Sequence, residues 1–316
     1  MTPMTRYLLG RFAGMLVVLF IVATLVFVIT RLTPGDPAAV MLGDQATQAD
    51  IARLRAEYGL DRPLPVQFGL WLGELARGNL GQSIFLQIPV TEALAERVEP
   101  TFFLTLFGVA LACLIGIPCG IVSAVWRGRL VDQAATGLAM LGASIPSFWL
   151  GLILIQLLAV KLGWLPVAGY GDPDADLAER LRHLLLPALV LGTLNSALII
   201  RFTRASMLDV LSDDYVRTAR AKGVRESVVI LRHALRNALI PVVTVVGLTA
   251  ALMIGGAVIT ETVFGLPGVG NLVVSAVLRR DYPVIQGALL AIAAIYVLIN
   301  LAIDLLYTVI DPRVRY

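Results

Sequence analysis

Six long apolar stretches constrain this chain more than any other feature, because each approaches the length a helix needs to cross a bilayer. Such a helix takes about 20 predominantly apolar residues. The first stretch, Phe12–Thr30, is uncharged throughout and sits behind Arg6 and Arg11. The others are Phe102–Trp126, Gln133–Val160, the shorter Leu184–Ile200, Ala238–Thr260 and Val284–Val309. Gly116, Pro118, Pro146, Pro187 and Pro241 lie inside them; these residue types break soluble helices and are tolerated in membrane ones. The first stretch reads as an uncleaved anchor, since its apolar run exceeds a signal peptide's and no Ala-x-Ala cleavage site follows.

Composition agrees. The chain is 58% hydrophobic and 15% charged, with a mean hydropathy of +0.84. Soluble domains carry about 25% charged residues. A net charge of +3 is too small to argue for nucleic acid as a partner. Cys113 and Cys119 fall on different faces of one apolar segment and read as small buried hydrophobes rather than a disulfide.

Orientation follows from the Lys and Arg residues of the short loops. Arg6 and Arg11 precede the first span, and Arg127 and Arg129 follow the second. Arg201, Arg204, Arg217, Arg220, Lys222, Arg225, Arg232 and Arg236 lie between the fourth and fifth, and Arg313 and Arg315 close the chain. If six spans alternate, all four groups share one side, which places both termini in the cytoplasm. The shorter loops of the opposite side carry Lys161, Arg180, Arg182, Arg279 and Arg280, partly offset by Asp172, Asp174, Asp176 and Glu179.

Two segments are then external. Thr33–Pro100 opens with Pro34-Gly35, suited to a type II turn, and contains two short amphipathic helical patterns, Ala49–Tyr58 and Val66–Leu75. Its length suits a small cap. Glu261–Tyr282 carries the turn-rich Gly265-Leu-Pro-Gly-Val-Gly270.

Several chemistries are excluded. His183 and His233 are the only histidines, so no His-x-x-x-His metal pair exists, and neither Lys161 nor Lys222 ends a phosphate-binding GxxxxGK[ST] loop. Asp304 is the only carboxylate inside a predicted span, near its cytoplasmic end, where it reads as a helix-end residue ahead of a proton relay. No catalytic cluster, cofactor site or metal site is expected on this chain. Gln156, Asn195, Thr244 and Met253 are the candidates for a substrate pathway, with interhelical hydrogen bonding the alternative for the polar ones.

The loop after the fourth span contains the most specific local pattern. Ser212 suits an N-cap, Asp213 and Asp214 suit a helix start, Arg220 and Lys222 suit its end, and Gly223 is placed as a left-handed terminator. The pattern predicts a helix of about three turns, near 15 Å long. A helix that short is marginal alone in water and needs packing to hold it.

Asp214-Tyr-Val-Arg-Thr-Ala-Arg-Ala-Lys-Gly223 and His233-Ala-Leu-Arg-Asn-Ala-Leu-Ile-Pro-Val-Val-Thr244 resemble the permease subunits of dipeptide/oligopeptide-type ABC importers. So do Leu32-Thr-Pro-Gly-Asp-Pro37, Asp281-Tyr-Pro-Val-Ile-Gln286 and Asp311-Pro-Arg313. The general importer signature is Glu-Ala-Ala, three residues, Gly, nine residues, Ile-x-Leu-Pro. Here Arg217-Thr218-Ala219 stands for Glu-Ala-Ala, and only Ala219, Gly223 and Leu235 keep that pattern; the peptide-type variant fits better.

The resemblance implies an all-α membrane protein with six transmembrane helices, a type I ABC importer transmembrane domain with a long periplasmic loop after the first helix. Residues 1–32 would be the first span, 33–100 the periplasmic cap, 101–310 a five-helix core holding the coupling loop 201–236, and 311–316 a cytoplasmic tail. Asp214, Tyr215, Arg217, Thr218, Ala219, Arg220, Ala221, Lys222 and Gly223 would form the coupling helix that docks on an ATPase subunit. The implied partners are a homologous second permease, one or two ATPases carrying ATP and Mg, a periplasmic substrate-binding protein and the lipid of a bacterial inner membrane. Peptides are the implied cargo, and close relatives also handle glutathione and nickel complexes. A self-sufficient secondary transporter is the competing class. Thr33–Pro100 either helps to receive the binding protein or serves as a stabilising lid.

Overall fold

The computed structural model describes residues 3–32, 39, 47–57, 59–172 and 174–310, and every regular element among them is a helix. The Pro34-Gly35 turn, most of the Leu32–Pro37 motif, the tail with Arg313 and Arg315, and the Asp304 side chain lie outside the described residues. In chain order the helices are α1 (Pro3–Leu32), α2 (Gln48–Glu57), α3 (Leu64–Ala76), α4 (Val90–Val125), α5 (Leu130–Ser144), α6 (Ser147–Lys161), α7 (Leu177–Leu211), α8 (Asp214–Ala221), α9 (Glu226–Phe264), α10 (Val269–Arg279) and α11 (Tyr282–Ile310). The second half of α6 and residues 229–234 of α9 are π-helical.

Helices α1, α4, α7, α9 and α11 are each long and apolar enough to cross a membrane. The stretch expected as the third span is broken: α5 and α6 meet at 100°. Pro146 supplies the cause. It has no N–H to continue α5, and it holds Ile145 in extended backbone at φ −81°, ψ 127°.

Side-chain contacts show that the bent pair still makes one full crossing. Asp132, in the first turn of α5, is ion-paired with Arg204 near the C-terminal end of α7. Beyond α6, the Trp164 carbonyl accepts a hydrogen bond from Arg182 near the N-terminal end of α7, at 3.0 Å. From Arg182 to Arg204 α7 rises about 33 Å, which matches a hydrocarbon layer of about 30 Å. Among the described residues, the five helices and the bent pair therefore make six crossings.

The helices overrun the apolar stretches that announce them. α4 starts at Val90 rather than Phe102, and α9 reaches from Glu226 to Phe264. Asp132 and Glu261 consequently sit inside spanning helices, so Asp304 is not the only such carboxylate. The segment after α9 also holds α10, which the glycine-rich turn concealed.

The chain divides into two compact units, Met1–Glu99 with Leu272–Val297, and Pro100–Asn271 with Leu298–Tyr316. In the first, Phe27 of α1 packs against Phe68 and Trp71 of α3, with ring centroids 5.1 and 5.6 Å apart. The amide of Gln286 in α11 donates to the Thr30 hydroxyl of α1 at 2.7 Å. Asp281, just before α11, is buried and accepts from the Ser83 hydroxyl and, at 3.2 Å each, from the N–H groups of Ile84 and Phe85. The Asp281–Gln286 motif thus holds the loop before α4 with its first residue and α1 with its last.

In the second unit α4 and α7 approach closely along small residues. Gly108, Ala112, Gly116 and Gly120 recur every fourth position of α4. A Cβ on Gly116 would lie 2.6 Å from a carbon of Ile199, and one on Gly120 would lie 2.9 Å from the Ile200 carbonyl oxygen. Membrane helices lack a hydrophobic drive towards each other, so such close backbone approach supplies the packing that joins them. Ile199 then sits fully buried with Ala112 of α4 and Val242 and Met253 of α9.

Candidate functional site

α8 is a separate short helix because the backbone stops on both sides of it. α7 ends at Leu211, and the Ser212 hydroxyl turns back to donate to the Asp209 carbonyl at 2.7 Å. Ser212 therefore caps α7 and is not the N-cap of α8. Asp213 takes that place in extended backbone, without a side-chain cap bond. The helix has eight residues, about 12 Å, roughly 3 Å shorter than the capping pattern suggested.

The C-terminal end is closed by backbone alone. Gly223 adopts φ +76°, which costs a glycine nothing in side-chain clash. Its N–H donates to the Arg220 carbonyl at 2.9 Å, and the Val224 N–H reaches the Ala219 carbonyl at 3.3 Å. These two bonds define a Schellman motif. Past it, Glu226 grips the Arg220 guanidinium with an N–O distance of 2.7 Å. That hydrogen-bonded carboxylate raises the Arg220 pKa above its ordinary value.

Two residues one turn apart anchor α8 to the fold. Val216 and Ala219 are buried against Val229, with Val210, Leu211 and Val224 packed around them. Tyr215 adds a polar anchor: its hydroxyl accepts from the Asn237 amide at 2.6 Å and donates to the His233 carbonyl at 3.3 Å. The two sequence motifs of the loop therefore meet. The opposite face presents Asp214, Arg217, Thr218, Ala221 and Lys222 to the outside. Arg217 reaches Asp214 at 3.3 Å, an exposed pair of the kind that adds little stability.

The four candidates for a substrate pathway are not gathered by any one contact. Gln156 is exposed on the π-helical part of α6, and Thr244 is half-buried on α9. Asn195 is half-buried and donates to the Leu191 carbonyl of its own helix at 2.8 Å. Met253 is fully buried in the cluster around Ile199.

Besides Asp281, which stands in a sequence motif, two further carboxylates are buried and were missed in the sequence. Glu261 is 0% exposed. It accepts from the Thr101 hydroxyl at 2.6 Å and from the Asn271 N–H at 2.9 Å, so it caps the start of α10. Gly268 and Gly270 leave it room, because a Cβ on either would press on its carboxylate. Asp132 is 5% exposed and accepts from the Gly128 N–H and both prongs of Arg204. The glycine-rich turn was the only local sign of the first, and nothing local announced the second. Among the described residues no group of three or more His, Cys, Asp or Glu is placed to hold a metal ion.

The family model for the binding-protein-dependent transport system inner membrane component matches residues 116–316, and the model for the N-terminal region of such components matches residues 4–104. A probable peptide ABC transporter permease protein of Sinorhizobium fredii is 47% identical over 311 residues, covering 98% of this chain and 99% of the relative. The glutathione transport system permease protein GsiC of Pectobacterium atrosepticum is 47% identical over 313 residues, covering 99% and 100%. Among solved structures, the MetNI methionine ABC transporter in an inward-facing conformation aligns with a TM-score of 0.59 at 18% identity, over 69% of this chain and 96% of that one. At that identity the likeness concerns the fold, the type I importer arrangement expected from the resemblance. With its six crossings and its isolated helix between the fourth and fifth, the chain belongs to the binding-protein-dependent transport system inner membrane component family.

Proposed function

We propose that the chain is one of two membrane subunits of an ABC importer that carries di- or oligopeptides inward by alternating access. α8 is the element on which a separate ATPase subunit acts. Its geometry is the observation that carries this reading. A short helix held at Tyr215, Val216 and Ala219, with its other face exposed, is a rigid knob fitted to a groove on a partner. A partner can bias the membrane helices only through contacts that differ between its two states, and such a knob supplies them.

ATP and Mg then belong to the ATPase subunits. A homologous second permease faces this chain across the substrate path, and a periplasmic binding protein delivers cargo. The exposed apolar side chains of α1, α5 and α6, among them Phe20, Leu138, Leu141 and Trp149, suit lipid and a second permease. The charge sorting supports an inner-membrane placement with both termini in the cytoplasm, and the hydrogen bond from Gln286, early in α11, to Thr30, late in α1, is in keeping with it.

The similarity to a glutathione permease supports a second cargo within the same chemical class, a small peptide with free carboxylates. The test is reconstitution of the complete transporter with Gly223→Pro or Ala219→Glu. Both variants are expected to lose binding-protein-stimulated ATP hydrolysis and uptake. Retention of both activities overturns the assignment of α8.

A further inference from the structure

The Asp132 carboxylate joins three separate pieces of chain. The Ser123 hydroxyl donates to it from the end of α4, and the Gly128 N–H donates at 2.8 Å from the following loop. Arg204 of α7 donates twice, from Nε at 2.7 Å and from a terminal nitrogen at 2.9 Å. This two-pronged geometry is directional as well as strong. Elsewhere α5 meets α7 through apolar side chains, Ala139 against Ala197 and Ile200. Apolar contacts are non-directional, so the directional element between α5 and α7 is the Arg204 fork.

Arg204 lies two turns before α7 ends. Those turns pack directly on α8, through Val210 and Leu211 against Val216 and Ala219. Met207 between them is fully buried against Ala124, Ala234 and Ala238. The path from the exposed face of α8 to the start of the broken span is therefore short and filled. Arg204 keeps about a third of its side chain exposed while Asp132 is buried, and an ion pair taken partly out of water adds little net stability over apolar packing.

We propose that Asp132 and Arg204 are a positioning pair that makes the broken span α5–α6 move with α8 as one body. The inference rests on the reading of α8 as the ATPase-facing helix, and its test separates the two. In the complete transporter, paired spin labels at Leu138→Cys on α5 and Ala221→Cys on α8 report their separation without nucleotide and with ATP and vanadate. In a second arm, Ala221→Cys is cross-linked to the ATPase subunit.

With Asp132 and Arg204 intact, the separation is expected to stay constant while the cross-link forms. In the double variant Asp132→Asn, Arg204→Gln, which leaves no lone buried charge, the separation is expected to shift between the two states by about 2 Å. Cargo moved per ATP should fall about tenfold. Arg204→Lys keeps the charge without the fork and should fall between. A separation that changes with Asp132 and Arg204 intact, or that stays constant in the double variant, overturns the proposal. Failure of the cross-link overturns the ATPase-facing reading of α8 instead, and the pair's role with it.

Discussion

The Tyr215 hydroxyl accepts a hydrogen bond from the Asn237 amide at 2.6 Å and donates one to the His233 carbonyl at 3.3 Å. This ties α8 to the start of the spanning part of α9. Tyr215 is 40% exposed, so each bond contributes only about 1 kcal/mol. Tyr215→Phe removes both bonds and is expected to raise hydrogen exchange of the α8 amides roughly 30-fold. Asn237→Ala removes only the bond to Tyr215 and should raise it roughly fivefold, and the double variant should not exceed Tyr215→Phe alone. Additive effects would show that the two residues act separately.

The close approach of α4 to α7 makes a second expectation. Gly116→Ala and Gly120→Ala place a methyl group against Ile199 and against the Ile200 carbonyl and Thr203. Overpacking of this sort costs about 1–3 kcal/mol, and the detergent-solubilised chain should unfold several degrees lower. Gly14→Ala on α1, with nothing within 4 Å, should leave the midpoint unmoved.

Asp281 gives the third. Its carboxylate serves Ser83, Ile84 and Phe85 together, and an Asn there turns one acceptor into a donor facing a donor. Loss of a buried acceptor costs about 1–3 kcal/mol. Asp281→Asn should expose the segment around Ser83–Leu86 to limited proteolysis while leaving cleavage elsewhere unchanged.

These cases divide between what was legible in the sequence and what was not. The crossings announced themselves because an apolar run is a local property, and so did the glycine that ends α8. The boundaries were less exact where a helix continued past its apolar stretch, as α4 does back to Val90 and α9 back to Glu226. Ser212 and Asp213 are adjacent cap formers, and only the extent of α7 decides which one starts α8. Pro146 was visible, but whether proline bends a membrane helix or merely interrupts it depends on the neighbours of Ile145. The four-residue spacing of Gly108, Ala112, Gly116 and Gly120 stood in the sequence and would have named the α4–α7 contact. The buried carboxylates were hidden for a different reason. Asp132, Glu261 and Asp281 find partners 72, 160 and 198 positions away, and no local pattern encodes such a pairing.

The way α8 ends limits what a neighbour can recognise there. The carbonyls of Thr218, Ala219 and Arg220 are already taken by the N–H groups of Lys222, Val224 and Gly223. No bare oxygen from these three residues is left to attract a cation or amide, and the negative pole a helix usually shows at this end is muted. A subunit seated on this stub must therefore recognise it by side-chain shape and by the charge of Arg217 and Lys222, so exchanging those two residues should redirect partner choice without disturbing the helix beneath them.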